Sequence, residues 1–156
     1  MLRISKLADY GTVVMVYLAR RPNTICNARE IANDTHITAP MVSKLLKRLT
    51  AAGLLRSVRG VSGGYRLARP AAEISVGSII YTLEQQQGLT ECSMHPNACS
   101  LQAVCHVQGN WRLINQAIEA ALDSVRLEEL AKPSLQAIEV ERVRQLASGV
   151  SRGQKQ

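Results

Sequence analysis

Three of the four cysteines, Cys92, Cys99 and Cys105, fall within fourteen residues, with the spacing C-x6-C-x5-C. The stretch that holds them, GLTECSMHPNACSLQAVC from Gly88 to Cys105, also carries a proline and several polar residues, so it reads as a loop running into a helix. Thiolates so placed suit a soft metal or an iron–sulfur cluster. The spacing is not the CxxC pair of a zinc ribbon, so structural zinc is not signalled. A four-ligand centre needs one more donor, and His95, His106, Glu91 or a carboxylate brought in by the fold, such as Asp9, are open candidates. Cys26 stands apart and reads as a small core residue.

A second chemistry is visible between Asn27 and Pro70. The pattern gives a short helix, a tight turn, a second helix and a two-stranded wing. Val42, Leu45, Leu46 and Leu49 follow the helical i, i+3, i+4, i+7 rule and should face a core. The other face, Met41, Ser43, Lys44, Lys47 and Arg48, is polar and basic. Pro40 suits a first helical turn and should end the preceding turn at Ala39; Gly53 suits the cap that follows. A helix-turn-helix lays such a second helix in the DNA major groove, so Thr38, Met41, Ser43, Lys44, Lys47 and Arg48 are the expected contacts. The strands Leu54–Val58 and Tyr65–Leu67 enclose RGVSGG, whose glycines permit a tight tip. No helix follows this loop, which argues against a nucleotide cradle. With Arg56, Arg59, Arg66 and Arg69 around it, the hairpin is expected to lie along a duplex, with Arg59 in the minor groove.

Charge agrees with that division. Residues 1–70 hold 12 Lys/Arg against 3 Asp/Glu, and residues 71–156 hold 7 against 9, so the first half meets a polyanion if either does. Aromatics are 3% of the chain and Phe is absent, so the core must be aliphatic. No apolar run reaches the roughly 18 residues that span a bilayer. Arg3, Lys6 and Asp9 break any leader-like pattern, so a cytoplasmic protein without a membrane partner is expected, with its thiols reduced.

The elements that must position these groups follow from periodicity. Ile4 to Arg20 reads as an amphipathic helix with Ile4, Leu7, Tyr10, Val13, Val14, Tyr17 and Leu18 inward, and Gly11 marks a close approach. Ser75 should cap a helix to Gln86, buried through Val76, Ile79, Ile80 and Leu83. From about Leu101 a long helix to Ser124 presents Trp111, Ile114, Ile118, Ala121, Leu122 and Val125 as one stripe. A domain this small has little to cover that stripe, so a second copy is its expected mate. A short helical turn at Leu127–Ala131 and a modest helix at Leu135–Ala147 follow, and the tail from Gly149 should be disordered. The expected fold is mainly α with a small β wing. A winged helix-turn-helix domain spans 1–87, the cysteine loop 88–105, the dimerisation helix region 101–131 and a partly disordered tail 132–156.

The motifs LADYG (Leu7–Gly11), VRGVSGGYRLARP (Val58–Pro70) and ISVGSII (Ile74–Ile80), together with the three-cysteine loop, resemble the Rrf-type winged-helix transcription regulators that include IscR and NsrR. The likeness runs roughly from Met1 to Ala131. It implies a homodimer joined by the long helix, gripping a near-palindromic operator in double-stranded DNA. It also implies that Cys92, Cys99 and Cys105 hold a [2Fe–2S] or [4Fe–4S] cluster. Members differ in the fourth ligand. The IscR branch uses a His three residues past the last cysteine, where this chain has Gln108; the NsrR branch uses an acid of the first helix from the other subunit, which matches Asp9, with His106 as the alternative. The opening MLRISKLADYG and the cysteine loop most resemble the branch controlling the SUF iron–sulfur assembly genes, which implies a repressor sensing cluster supply. IscR has a Glu where this chain has Ser43, so its operator sequence does not carry over. A cluster-free thiol-redox regulator and a nitric-oxide-responsive repressor are the competing expectations. An enzyme is not expected, since no second cofactor motif, nucleophile–base pair or small-molecule substrate site is readable.

Overall fold

The computed structural model describes residues 3–84, 88–90, 99–100 and 105–132. In chain order these form α1 (Lys6–Ala19), α2 (Ala28–Thr35), α3 (Ala39–Ala51), β1 (Leu55–Val58), β2 (Gly64–Leu67), a 3-10 turn (Ala71–Glu73), α4 (Val76–Leu83), α5 (Gln108–Ser124) and α6 (Leu127–Ala131). This is the expected mainly helical architecture with a small antiparallel wing.

Local chemistry explains most boundaries. The Ser5 hydroxyl caps α1 by accepting from the Ala8 amide. Asn27 and Glu30 form a reciprocal capping box on α2. After α3, Gly53 takes φ +71°, its N–H bonds the Thr50 carbonyl and the Leu54 N–H bonds the Leu49 carbonyl. That double closure is the Schellman arrangement, and it releases the chain into β1. Ala39 is helical although it precedes Pro40, so the first turn starts one residue earlier than expected, with Thr38 at the cap position. A shift of one residue at an end is small beside the four buried side chains that hold α3 in place, Val42, Leu45, Leu46 and Leu49.

These four meet Val14, Met15 and Leu18 of α1, Ile31 of α2 and Ile79 and Leu83 of α4 in one aliphatic core. Burying such side chains contributes about 1.5–3 kcal/mol each. A Cβ on Gly11 would run into the Leu83 side chain, which is why α1 and α4 can approach so closely there. Ile4 and Val13, expected inside, are 54% and 41% exposed. Ile4 precedes the Ser5 cap and so lies outside the helix, while Val13 lies on the outward arc of α1 with Lys6 and Asp9, because the buried arc is already filled by Ala8, Gly11, Val14, Met15 and Leu18.

Cys26 is buried as expected, and it adds an unforeseen third rung to the wing: it exchanges backbone hydrogen bonds of 3.0 and 2.9 Å with Tyr65. A side chain at Gly64 would strike the Cys26 carbonyl, so that glycine serves the pairing as well as the turn.

Ser75 caps α4 as expected, but α4 stops at Leu83; Glu84 is extended and 85–87 lie outside the described residues. The helix expected from Leu101 begins at Gln108, with Cys105 to Val107 non-helical and 101–104 outside the description. Val107, at the cap position, has no side chain able to close the first turn, so nothing local draws the helix further back. After α5 the chain returns: Val76 N–H bonds the Val125 carbonyl, Leu127 N–H bonds the Ile74 carbonyl, and Leu127 enters the winged-helix core. The end of the expected 101–131 region therefore packs on the winged unit. The helix expected at Leu135–Ala147 and the tail lie outside the described residues.

Candidate nucleic-acid interface and cysteine centre

On α3 the exposed polar side chains are Ser43, Lys44 and Lys47, with Met41 half-buried at the flank. Thr38 is exposed at the cap position and its hydroxyl makes no cap hydrogen bond, so the first-turn N–H groups stay open. No acid sits in that first turn. Together with the helix dipole, this gives α3 a positive leading end suited to phosphate. Arg48 departs from the group: its guanidinium donates to the Leu83 carbonyl at the end of α4, 3.4 Å away. Its position on the helix turns it toward α4, between the buried stripe and the basic arc.

The wing pairs Leu55 with Leu67, Arg56 with Arg66, Ser57 with Tyr65 and Val58 with Gly64. Its tip is closed by Gly63 N–H to the Gly60 carbonyl, with Gly60 at φ +120°. Arg59 is exposed there and has no hydrogen bond or ion pair among the described residues, so its guanidinium is free to meet an external acceptor.

The two regions meet at the end of α4. The Glu84 carboxylate accepts the Ser5 amide hydrogen at 2.8 Å, which ties the entry to the cysteine stretch to the foot of α1. One turn further along α1 lies Asp9, exposed, its carboxylate without a hydrogen bond or ion pair among the described residues. Sequence reasoning missed both Arg48–Leu83 and Glu84–Ser5, since pairs 35 and 79 residues apart leave no periodic signal.

Of the expected cluster ligands, Cys99 and Cys105 are free, half-buried thiols, and Cys105 lies just before α5. Cys92, and with it Glu91 and His95, lies outside the described residues. His106 is exposed, and Gln108 is the first residue of α5. Among the described residues no three His, Cys, Asp or Glu side chains stand together as a metal site, so Asp9 is not brought to Cys99 and Cys105 within one chain. Leu89 N–H donates to Asn115 Oδ1 at 3.3 Å and Asn115 Nδ2 to Glu119 at 2.6 Å, which fastens the start of the cysteine stretch to α5. The fourth cysteine is chemically apart: burial, and then the Glu30 carboxylate, push the Cys26 thiol up, so it stays protonated. The donor chemistry thus suits a soft-metal cluster: two free thiols beside a third cysteine in sequence, and a carboxylate with no internal partner.

On α5, Trp111 and Ile114 are 38% and 45% exposed, and none of its residues is fully buried in the single chain. Its inner side meets α4 through Asp123, which accepts from the Ser75 hydroxyl at 2.7 Å and packs on Gly77. Among the described residues no helix is long and apolar enough to cross a membrane.

Known proteins share this arrangement. Residues 4–133 match the Rrf2 family, described as an iron-dependent transcriptional regulator. The chain is 31% identical over 136 residues to the HTH-type transcriptional regulator NsrR of Oceanobacillus iheyensis, covering 84% of this chain and 90% of that protein. Its fold is similar to CymR, the global cysteine regulator of B. subtilis, with TM-score 0.66, 30% identity and coverage of 84% and 97%. It is also similar to IscR of T. potens, with TM-score 0.63, 30% identity and coverage of 90% and 96%. These relatives are regulators rather than enzymes, and this chain belongs to the Rrf2 family of DNA-binding transcriptional regulators.

Proposed function

We propose that this chain is a homodimeric cytoplasmic repressor that reads iron–sulfur cluster supply and controls iron–sulfur assembly genes of the SUF type. The observation that carries the reading is the shared anchor at the end of α4. Arg48 ties the recognition helix to Leu83, the next residue, Glu84, is tied to the foot of α1 below Asp9, and the cysteine stretch begins four residues later in sequence, at Gly88. A change in how the cysteine stretch is held therefore reaches α3 through two adjacent residues. Arg48 acts in this scheme as a positioning residue rather than a base contact.

Cys92, Cys99 and Cys105 would hold a cluster through their thiolates, with the partner subunit's Asp9 as a hard and labile fourth donor, and the group would supply a centre whose presence or loss changes how the cysteine stretch is held. Val13, exposed on the same arc as Asp9, and Ile4, exposed just before the helix, would give an apolar border for the other copy, and Trp111 and Ile114 of α5 would do the same along the dimer seam. Thr38, Met41, Ser43, Lys44 and Lys47 then meet the major groove, and Arg59 the minor groove. Two copies bind half-sites of a near-palindrome about 34–36 Å apart, or a multiple of that. That spacing tolerates little change, so a small rotation of α3 is enough to alter affinity.

The test uses anaerobically purified protein, its visible absorption, and its affinity for its own promoter with and without cluster at several salt concentrations. Cys99→Ser and Asp9→Ala should each remove or weaken the visible bands and change promoter affinity at least about tenfold. Equal grip by loaded and metal-free protein overturns the reading. The second reading, a cluster-free thiol switch, is favoured by the free thiols of Cys99 and Cys105 and by similarity to S. aureus CymR, which is known in an oxidized form. Its signature is a colourless protein whose DNA binding follows thiol oxidation.

A further inference from the structure

We propose that the base of the wing holds a phosphate-binding cleft, separate from the groove-reading tip. The strand register sets Arg56 directly opposite Arg66. Like charges facing each other across two strands repel, so this pairing opposes the hairpin unless an anion lies between them. Arg69, just past β2, joins them, and the three arginines are among the residues lining a cleft of about 430 Å3. All three are exposed, their guanidinium groups have no hydrogen bond or ion pair among the described residues, and no carboxylate lines the cleft. Arg21 at its edge is already committed, 3.4 Å from Asp34 and 3.7 Å over the Tyr17 ring. The charge left for a ligand is therefore that of three guanidinium forks.

The geometry selects the ligand's chemistry. A guanidinium fork pairs with two oxygens, and three forks are better matched by the oxygens of a phosphate than by the two of a carboxylate. The cleft is larger than a single phosphate, within the size range of small-molecule sites, and Leu18, Pro22 and Pro70 give it an apolar wall. Pyrophosphate or a phosphorylated small molecule fits that description. Arg59 is not part of the lining; Ser57 and Val58 separate it from Arg56, three residue steps or roughly 10 Å along an extended chain. The phosphate is supplied either by a soluble molecule or by duplex backbone, and the proposal does not rest on any operator or cluster.

The full chain is titrated with pyrophosphate at constant ionic strength held by chloride, followed by calorimetry and thermal unfolding. Wild type should bind and its unfolding temperature should rise. The double variant Arg56→Gln/Arg66→Gln should bind at least about tenfold more weakly. Without pyrophosphate this variant should be no less thermostable than wild type, since a repelling pair has been removed, which shows that lost binding is not lost folding. A second arm measures binding to mixed-sequence duplex against salt. A fall of about two in the slope of log affinity on log salt assigns the phosphate to DNA backbone; an unchanged slope assigns it to a soluble ligand. Equal pyrophosphate binding by wild type and double variant, or none by wild type, overturns the cleft.

Discussion

The winged-helix unit and the α5 region are built to different standards of completeness. In the first, α1 to α4 close around side chains such as Leu45, Leu46 and Leu49 with no exposure at all. In the second, a helix of 17 residues has none fully buried, and leaves a Trp and an Ile facing outward. The chain supplies its own core for the winged-helix unit, whereas α5 keeps an outward apolar face that the proposed second copy would cover. Under the proposed dimer, such a difference lets a regulator respond: the winged unit is packed by its own side chains, while the region beside the cysteines would take its final packing from the other copy.

That contrast is broken or sharpened by substitution on each side. Leu45 lies where α1, α3 and α4 meet, close to Gly11 and fully buried. Leu45→Ala should destabilise the protein by about 2–5 kcal/mol, seen as an earlier denaturant midpoint with the dimer intact until unfolding. Ile114→Asp should do the reverse. Its side chain is 45% exposed, so the folded protomer loses little, but a charge placed in the dimer seam should weaken association by about 2 kcal/mol or more. Sedimentation of the variant at low concentration should find folded monomers. If Ile114→Asp stays dimeric and instead melts early, α5 belongs to the protomer's own core and the contrast fails.

How much of this was legible follows the same line. The stripe of α3, the Gly53 cap, the Ser75 cap, the close approach at Gly11 and the wing could all be read, because each is a local pattern with one physical meaning. Val13 was misread as buried because an amphipathic count cannot tell which of two apolar arcs is filled by the chain itself, and Ile4 because the helix starts only after the Ser5 cap. The third wing rung at Cys26 was invisible, since a single paired residue has no period. At the candidate site, the residue types were readable but their placement was not. Arg48 carries the same charge as Lys47, one residue away on the basic side of α3, yet turns to Leu83. The Asn27–Glu30 capping box is a signal the sequence did contain, and it fixes the start of α2.

The seam between the two regions offers the finest test. Tyr81 lies on α4 facing α5, and its phenol is pushed up from 10.0 to about 12, first by burial and then by Glu119 and Asp123 across the seam. The folded state therefore keeps its proton where the unfolded chain has begun to lose it. A folded value above the unfolded one means that stability is unaffected below about pH 10 and falls as pH rises from 10 toward 12. Tyr81→Phe removes this titration, so its unfolding midpoint should decline less steeply than wild type over that window, with equal slopes at pH 7 to 9. Glu119→Gln should recover a smaller part of the same difference, because the carboxylate ranks below burial as a cause. Should wild type and Tyr81→Phe lose stability in parallel up to pH 12, the phenol is not held in the seam, and α4 and α5 are joined through Ser75 and Asp123 without it.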